Sequence, residues 1–256
     1  MRKGSRAATL DRVPSKQEFK KILQHGTIKD KALFLFAASS GMRINEILKL
    51  TPEMVNLDVD PPRVNIPGNI SKTGDPRITF LTEEAKEYLL EWYKIRNDYL
   101  QLAIRKTKHV CKKTGNDDTI FPFHYNIAWT RWIYLIKKAK LDERDPTTNR
   151  HVLHIHCLRK WFLSQLKLEI PHVIAEAIAG HEQYLDDAYR RFTKEQIADY
   201  YKKGMHNLMV MNVQPDLTGI HAELKDKDQQ IRELRDQMSM LMAKVLTSDD
   251  KEKKKD

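Results

Sequence analysis

The sequence predicts an α+β domain, mostly helical with a small antiparallel β-sheet, followed by a long heptad helix. Three observations predict it. Helix-start signals recur: Ser15 with Glu18, Thr27 with Asp30 and Thr193 with Gln196 all have capping-box spacing. From Asp58 the pattern changes, and Pro61, Pro62, Pro67, Gly68 and Gly74 punctuate short runs rich in β-branched residues. From Leu217 to Val245 the apolar residues advance in alternating steps of three and four.

Residues 1–13 are polar and basic and read as a flexible arm, with order expected from Pro14. The first helix, capped by Ser15, carries Phe19, Ile22 and Leu23 on its apolar face. The next contains ALFLFAASS and is interrupted at Gly41; another begins in GMRINEILKL. RVNI and RITFL read as strands, with SKTGD as a tight turn between them. Thr82 caps a helix through AKEYLLEWYKIRNDYL, RKTKHVCKKTGNDD is a polar loop, and IFPF is a short buried element. Asn126 to Lys140 forms an amphipathic helix with Ile127, Trp132, Ile133, Leu135 and Ile136 as its apolar residues. His156 to Leu168 is a further helix, Pro171 opens the next and Gly180 closes it, and Thr193 caps one running to about Met211.

The globular domain is thus expected over 14–213, a heptad helix over 214–246 and a disordered charged tail over 247–256. The seam consists of Leu217, Ile220, Leu224, Ile231, Leu234, Met238, Leu241 and Val245, with Lys227 at its one non-apolar position. Its intervening positions are almost wholly polar, which favours self-association over packing on the chain's own domain.

Hydrophobic residues make up 41% of the chain, as in soluble globular proteins. No apolar run approaches the length of a membrane span, and the N-terminus lacks the apolar core of a signal peptide, so a cytoplasmic location is the default. The net charge of +10 favours a polyanionic partner, because each phosphate contact releases a condensed counterion. Cys111 and Cys157 cannot build a disulfide framework or a four-cysteine zinc site, and Cys111 with His109 in a basic run is a poor metal site. No cofactor is expected.

The sequence has no phosphate-cradling G-x-x-x-x-G-K loop, no H-E-x-x-H and no acidic cluster for a two-metal nuclease. What remains is an ordered set: Arg43, Lys72, His156, Arg159, His181 and Tyr189. These residue types suit phosphodiester transfer without a metal. Two guanidiniums can hold the non-bridging oxygens and neutralise a pentavalent transition state. A lysine can protonate the leaving hydroxyl, and a phenol needs an acceptor or a cationic field to act as nucleophile. Each residue alone has a blander reading. Arg43 can pair with Glu46 one turn on, Lys72 can be a solvated turn residue, and His156 and Arg159 share a helix face at a common spacing. His181 can cap a helix, and Tyr189 can be a core phenol.

Taken together, the chain resembles the catalytic domain of the tyrosine recombinase, or phage integrase, family, in the style of archaeal integrases. GMRINEILKL is similar to that family's first arginine box, and IPGNISKTGDPRITFLTEEAKEYL to its lysine hairpin and following helix. HCLRKWF is similar to the H-x-L-R box, and AIAGHEQYLDDAYRRFTKEQIADYY to the terminal glycine–histidine and tyrosine boxes. The resemblance covers roughly residues 14 to 211. It implies Arg43 and Arg159 as a phosphate clamp, Lys72 as general acid, His156 as an aid to proton transfer at the tyrosine or a phosphate ligand, and His181 as a phosphate-oxygen donor. Tyr189 would attack to give a 3′-phosphotyrosine, and Glu46 would brace the first arginine. Tyr189 stands one residue closer to His181 than is usual in the family, with Tyr184, Tyr200 and Tyr201 nearby.

The implied function is a site-specific DNA recombinase, acting on double-stranded DNA as a homo-oligomer. Family members usually carry an N-terminal DNA-clamping domain, so a separate clamp domain or accessory protein is an expected partner; a membrane is not. The alternatives are a catalytically idle DNA-binding accessory or regulatory protein on the same fold, and a relaxing activity like that of type IB topoisomerases.

Overall fold

The computed structural model describes residues 11–106, 117–181 and 192–211 of the 256-residue chain. Helix α1 (Lys16–Gln24) and helix α2 (Ile28–Ser40) both start on capping boxes, from Ser15 with Glu18 and from Thr27 with Asp30. Asp11 and Arg12, assigned by the sequence to a flexible arm, are held in front of α1. Arg12 donates two hydrogen bonds to Glu18, at 2.8 and 2.9 Å, and its main-chain N–H reaches Val152. The carboxylate that caps α1 therefore also anchors the segment before it.

Helix α2 is buried almost all round from Ala32 to Ser40 and forms the pillar of the domain, as expected of a helix with no polar face. Helices α4 (Glu83–Lys106) and α6 (Cys157–Leu166) pack on it. Phe19, Phe34, Trp132 and Trp161 fill the core, with edge-on ring contacts such as Phe34 on Trp132 at 5.0 Å. Helices α5 (Tyr125–Lys138), α7 (His172–Ala179) and α8 (Lys194–Leu208) complete the helical part, α8 starting on the capping box of Thr193 and Gln196.

The sheet has three antiparallel strands in sequence order: β1 (Val55–Asn56), β2 (Arg63–Ile66) and β3 (Arg77–Phe80). Strand β1 is too short for its sequence to show alternation, and the sequence does not predict it. The β2–β3 connection is a loop over residues 67–76 that contains the SKTGD turn, where the Gly74 main-chain N–H reaches the Ser71 carbonyl at 3.4 Å. Pairing stops at Ile66 opposite Arg77 because Pro67 and Pro76 come next, and proline has no N–H for the ladder.

Among the described residues no helix is long and apolar enough to cross a membrane. The heptad segment, the charged tail, residues 107–116 of the basic loop with Cys111, and Tyr184 and Tyr189 lie outside the described residues, while Arg105 and Lys106, expected in that loop, belong to α4.

Candidate active site

The candidate site is built where α2 ends. The Ser39 carbonyl accepts from the Tyr201 hydroxyl at 2.9 Å, the Ser40 carbonyl from Thr79 at 2.7 Å, and the Gly41 carbonyl from Arg159 at 2.6 Å. Helix α8, strand β3 and helix α6 thereby fix the backbone two residues ahead of Arg43. Gly41 closes α2 in the left-handed region, φ +63°, and a Cβ there would run into the ring of Phe162. The chain then turns into the short helix α3 (Ile44–Ile47), which Arg43 precedes.

Glu46 organises this wall of the site. Its carboxylate is 3% exposed and takes the Arg77 guanidinium at 2.6 Å, the Lys72 main-chain N–H at 3.1 Å and the Arg43 main-chain N–H at 3.2 Å. The Arg43 guanidinium is farther, at 3.4 Å. Bracing Arg43, the role the family resemblance implies for Glu46, is thus only part of what it does; Glu46 also holds the Lys72 loop and a second arginine. Burial alone would raise the Glu46 carboxyl, but the bonds from Arg77, Lys72 and Arg43 hold it below the ordinary carboxylate range.

Arg77 is absent from the residues the sequence singles out. It is buried, also reaches the Ser71 hydroxyl at 3.3 Å, and lies against Gly180, where a Cβ would collide with its guanidinium. Its position within RITFL reads as an ordinary strand charge, and only the fold turns it inward.

Helices α6 and α7 form the other wall. Arg159 is 3% exposed. Its Nη1 donates to Gly41 and to the Ala179 carbonyl, so one guanidinium caps the C-terminal ends of both α2 and α7, where helix dipoles favour a cation. Its Nη2 is buried with no partner among the described residues. Burial and the neighbouring Arg43 and Arg77 push Arg159 down to about 9, still charged at neutral pH. Glu46 and Glu176 offset part of this repulsion, and Nη2 remains a buried donor available to an anion.

His156 stands at the start of α6, open to the cleft on its outer side. Desolvation of its inner side, with the charges of Arg159, His154, Lys160 and Arg43, depresses it to about 4. It is neutral at pH 7 and able to accept a proton. Past Gly180, the left-handed cap of α7 at φ +86°, comes His181. Its Nδ1 bonds the Glu176 carboxylate, which also takes Lys167. Burial and the charges of Arg159 and Arg43 lower His181 in spite of Glu176.

Arg43, Lys72, His156 and Arg159 line one cleft of about 660 Å³, together with His154, Tyr125 and Lys49. Lys72 is exposed on its loop. His181 is not in that lining but lies close enough for Arg43 and Arg159 to act on its charge. Of the alternative tyrosines, Tyr201 is fully buried with its hydroxyl committed to Ser39, so it is a core phenol; Tyr200 packs edge-on against Phe192 at 5.6 Å. Among the described residues one group, Asp11, His154 and Cys157, has the donor types for a metal ion. The Asp11 carboxylate there already takes Lys160 at 2.5 Å and His154 at 3.0 Å.

The fold is that of a tyrosine recombinase catalytic domain. The solved XerA recombinase superimposes with a TM-score of 0.52 at 19% identity, over 78% of this chain and 65% of that one. The chain belongs to the phage integrase family, whose model matches residues 13–186. An integrase from mycobacterium phage Brujita aligns over 84% of this chain and 62% of its own, with 17% identity and a TM-score of 0.48. A lambda integrase dimer bound to a core site aligns over 72% and 62%, with 14% identity and a TM-score of 0.48. The chain thus spans less than two thirds of the length of these proteins. No curated protein matches it.

Proposed function

We propose that the chain is a site-specific DNA recombinase that cleaves and rejoins strands through a covalent 3′-phosphotyrosine. The observation that carries this is Arg159: a buried guanidinium with an unpaired Nη2, beside Arg43, in a cleft that also holds Lys72 and a neutral His156. Such a site is built for an anion whose charge grows during reaction, as that of a phosphodiester does on reaching five-coordination.

In this reading Arg43 and Arg159 bind the non-bridging oxygens of the scissile phosphate. The Tyr189 oxygen attacks phosphorus, and its proton passes to His156, whose depressed pKa keeps it free to accept one. The bond to the 5′-oxygen breaks, and Lys72 supplies that oxygen with a proton. With its Nδ1 on Glu176, His181 donates to a phosphate oxygen from Nε2 as an imidazolium, the form that the arriving phosphate favours. The ester conserves the energy of the broken bond, so an incoming 5′-hydroxyl reverses the steps with no nucleotide consumed. All the neutralising charge comes from side chains, so no step calls on a metal. The substrate is double-stranded DNA, and the heptad positions from Leu217 to Val245 supply a means for protomers to associate on it.

The test is adduct formation. The full chain is incubated with a pool of nicked duplexes of randomised sequence, and a denaturant-stable protein–DNA adduct is sought. The wild type should form one and Tyr189→Phe should not. An adduct that survives this change removes Tyr189 as nucleophile. Binding without any adduct would make the chain an accessory DNA-binding protein.

A further inference from the structure

Beside the clamp lies a second set of polar side chains that the scheme above does not use. The His154 Nε2 and the Lys160 ammonium converge on a single oxygen, Oδ2 of Asp11, at 3.0 and 2.5 Å. His154 lines the same cleft as Arg43 and Arg159, and its ring lies parallel to that of His156, with centroids 6.3 Å apart. Lys160 follows Arg159 directly and is 42% exposed. Its charge, like that of His154, is felt at His156. These two donors therefore already form an oxyanion-binding pair, and the anion they hold is the chain's own carboxylate, carried in by the segment ahead of α1.

We propose that His154 and Lys160 are a second phosphate subsite, for a backbone phosphate next to the scissile one, and that Asp11 occupies it as an internal anion until DNA displaces it. The inference rests on the reading of the cleft as a DNA site. Two features make the exchange workable. The Asp11–Lys160 pair is partly solvated, so its net worth is small and a polyanion can compete with it. A backbone phosphodiester presents two non-bridging oxygens, as a carboxylate does, and would keep both donors satisfied. Asp11 is followed by Arg12, anchored to Glu18 and Glu143, so a short movement of Asp11 suffices and the segment need not leave the domain.

The experiment measures the affinity of the full chain for duplex DNA across a potassium chloride series, for wild type, Asp11→Asn, Lys160→Gln and the double variant, with circular dichroism as a check on folding. Asp11→Asn removes the competing anion and should tighten binding about two- to fivefold. Lys160→Gln should weaken binding and lower the slope of log K against log salt by about 0.9, the loss of one phosphate contact. In the Lys160→Gln background the Asp11 change should have a smaller effect than in the wild type, because only His154 remains for Asp11 to block. A wild-type chain that binds DNA, with Asp11→Asn no tighter or Lys160→Gln unchanged in slope, overturns the subsite and leaves the proposed function standing. Failure of the folded wild type to bind DNA at all overturns both.

Discussion

The two walls of the cleft are each organised by one carboxylate, and the two work differently. Glu46, 3% exposed, accepts main-chain N–H groups from Arg43 and Lys72 as well as the Arg77 guanidinium. Glu176, 8% exposed, takes the side chains of Lys167, His172 and His181. A carboxylate bonded to backbone fixes the course of the chain. One bonded to side chains sets the charge and orientation of a ring and leaves the course of the chain to Gly180. The first wall is a scaffold for an arginine and a lysine; the second is a tunable support for a histidine.

Arg159 joins the walls by donating to Gly41 on one and Ala179 on the other, so changing it should have the largest effect. Arg159→Lys keeps a cation but loses the planar fork and its spare Nη2. Adduct formation should fall by about 10²–10³, the usual loss for one transition-state donor, while DNA affinity changes only a few-fold. Adduct formation at the wild-type rate would mean that the spare donor faces no phosphate.

Next in size is the scaffold itself. Glu46→Gln leaves Arg77 buried without a counter-charge, near Arg159. Breaking a buried pair in this way costs about 3–5 kcal/mol, to be read from urea unfolding. Glu46→Gln with Arg77→Met should cost less than the sum of the two single changes, because the double variant strands no charge. If Glu46→Gln destabilises no more than Glu176→Gln, the contrast between the walls fails.

The same contrast explains what the sequence could disclose. The helix starts were legible at Ser15, Thr27 and Thr193 because caps are local chemistry, and Gly41 and Gly180 marked the two helix ends that flank the site. Arg43, Lys72, His156, Arg159 and His181 were legible as an ordered set because their boxes are short and contiguous. Arg77, Glu176 and His154 were not. Arg77 is defined by a contact with Glu46 thirty-one positions away, and Glu176 reads as a helix-surface charge. His154 becomes notable only when Asp11, 143 residues earlier, arrives beside it. The SKTGD turn was legible from its turn chemistry, but the length of the loop around it was not, because Pro67 and Pro76 set where the ladder ends.

The smallest effect concerns the second wall. At neutral pH Glu176→Gln should cost about 1 kcal/mol, because its partners are partly solvated. Its sharper signature lies in pH. His181 titrates below its ordinary value because burial and then Arg159 and Arg43 outweigh the support of Glu176. A histidine depressed in the folded state costs stability as pH falls from about 6.5 towards its folded pKa, since the unfolded chain takes the proton first. Removing Glu176 removes the groups that raise His181, so its titration should move further down by NMR. The fall in stability between about pH 6.5 and 5 should then be steeper in Glu176→Gln than in the wild type. His156 contributes a loss of the same sign, from about 6.5 down to about 4, but equally in both proteins, so it cancels from the difference between the two profiles, and NMR of His181 separates its share from that of His172, the other histidine on Glu176. Glu176 itself does not blur this window, because its own lowered pKa places its loss of stabilisation below about 4.5. Parallel profiles would show that Gly180 and the packing of α7, not the carboxylate, hold the ring in place.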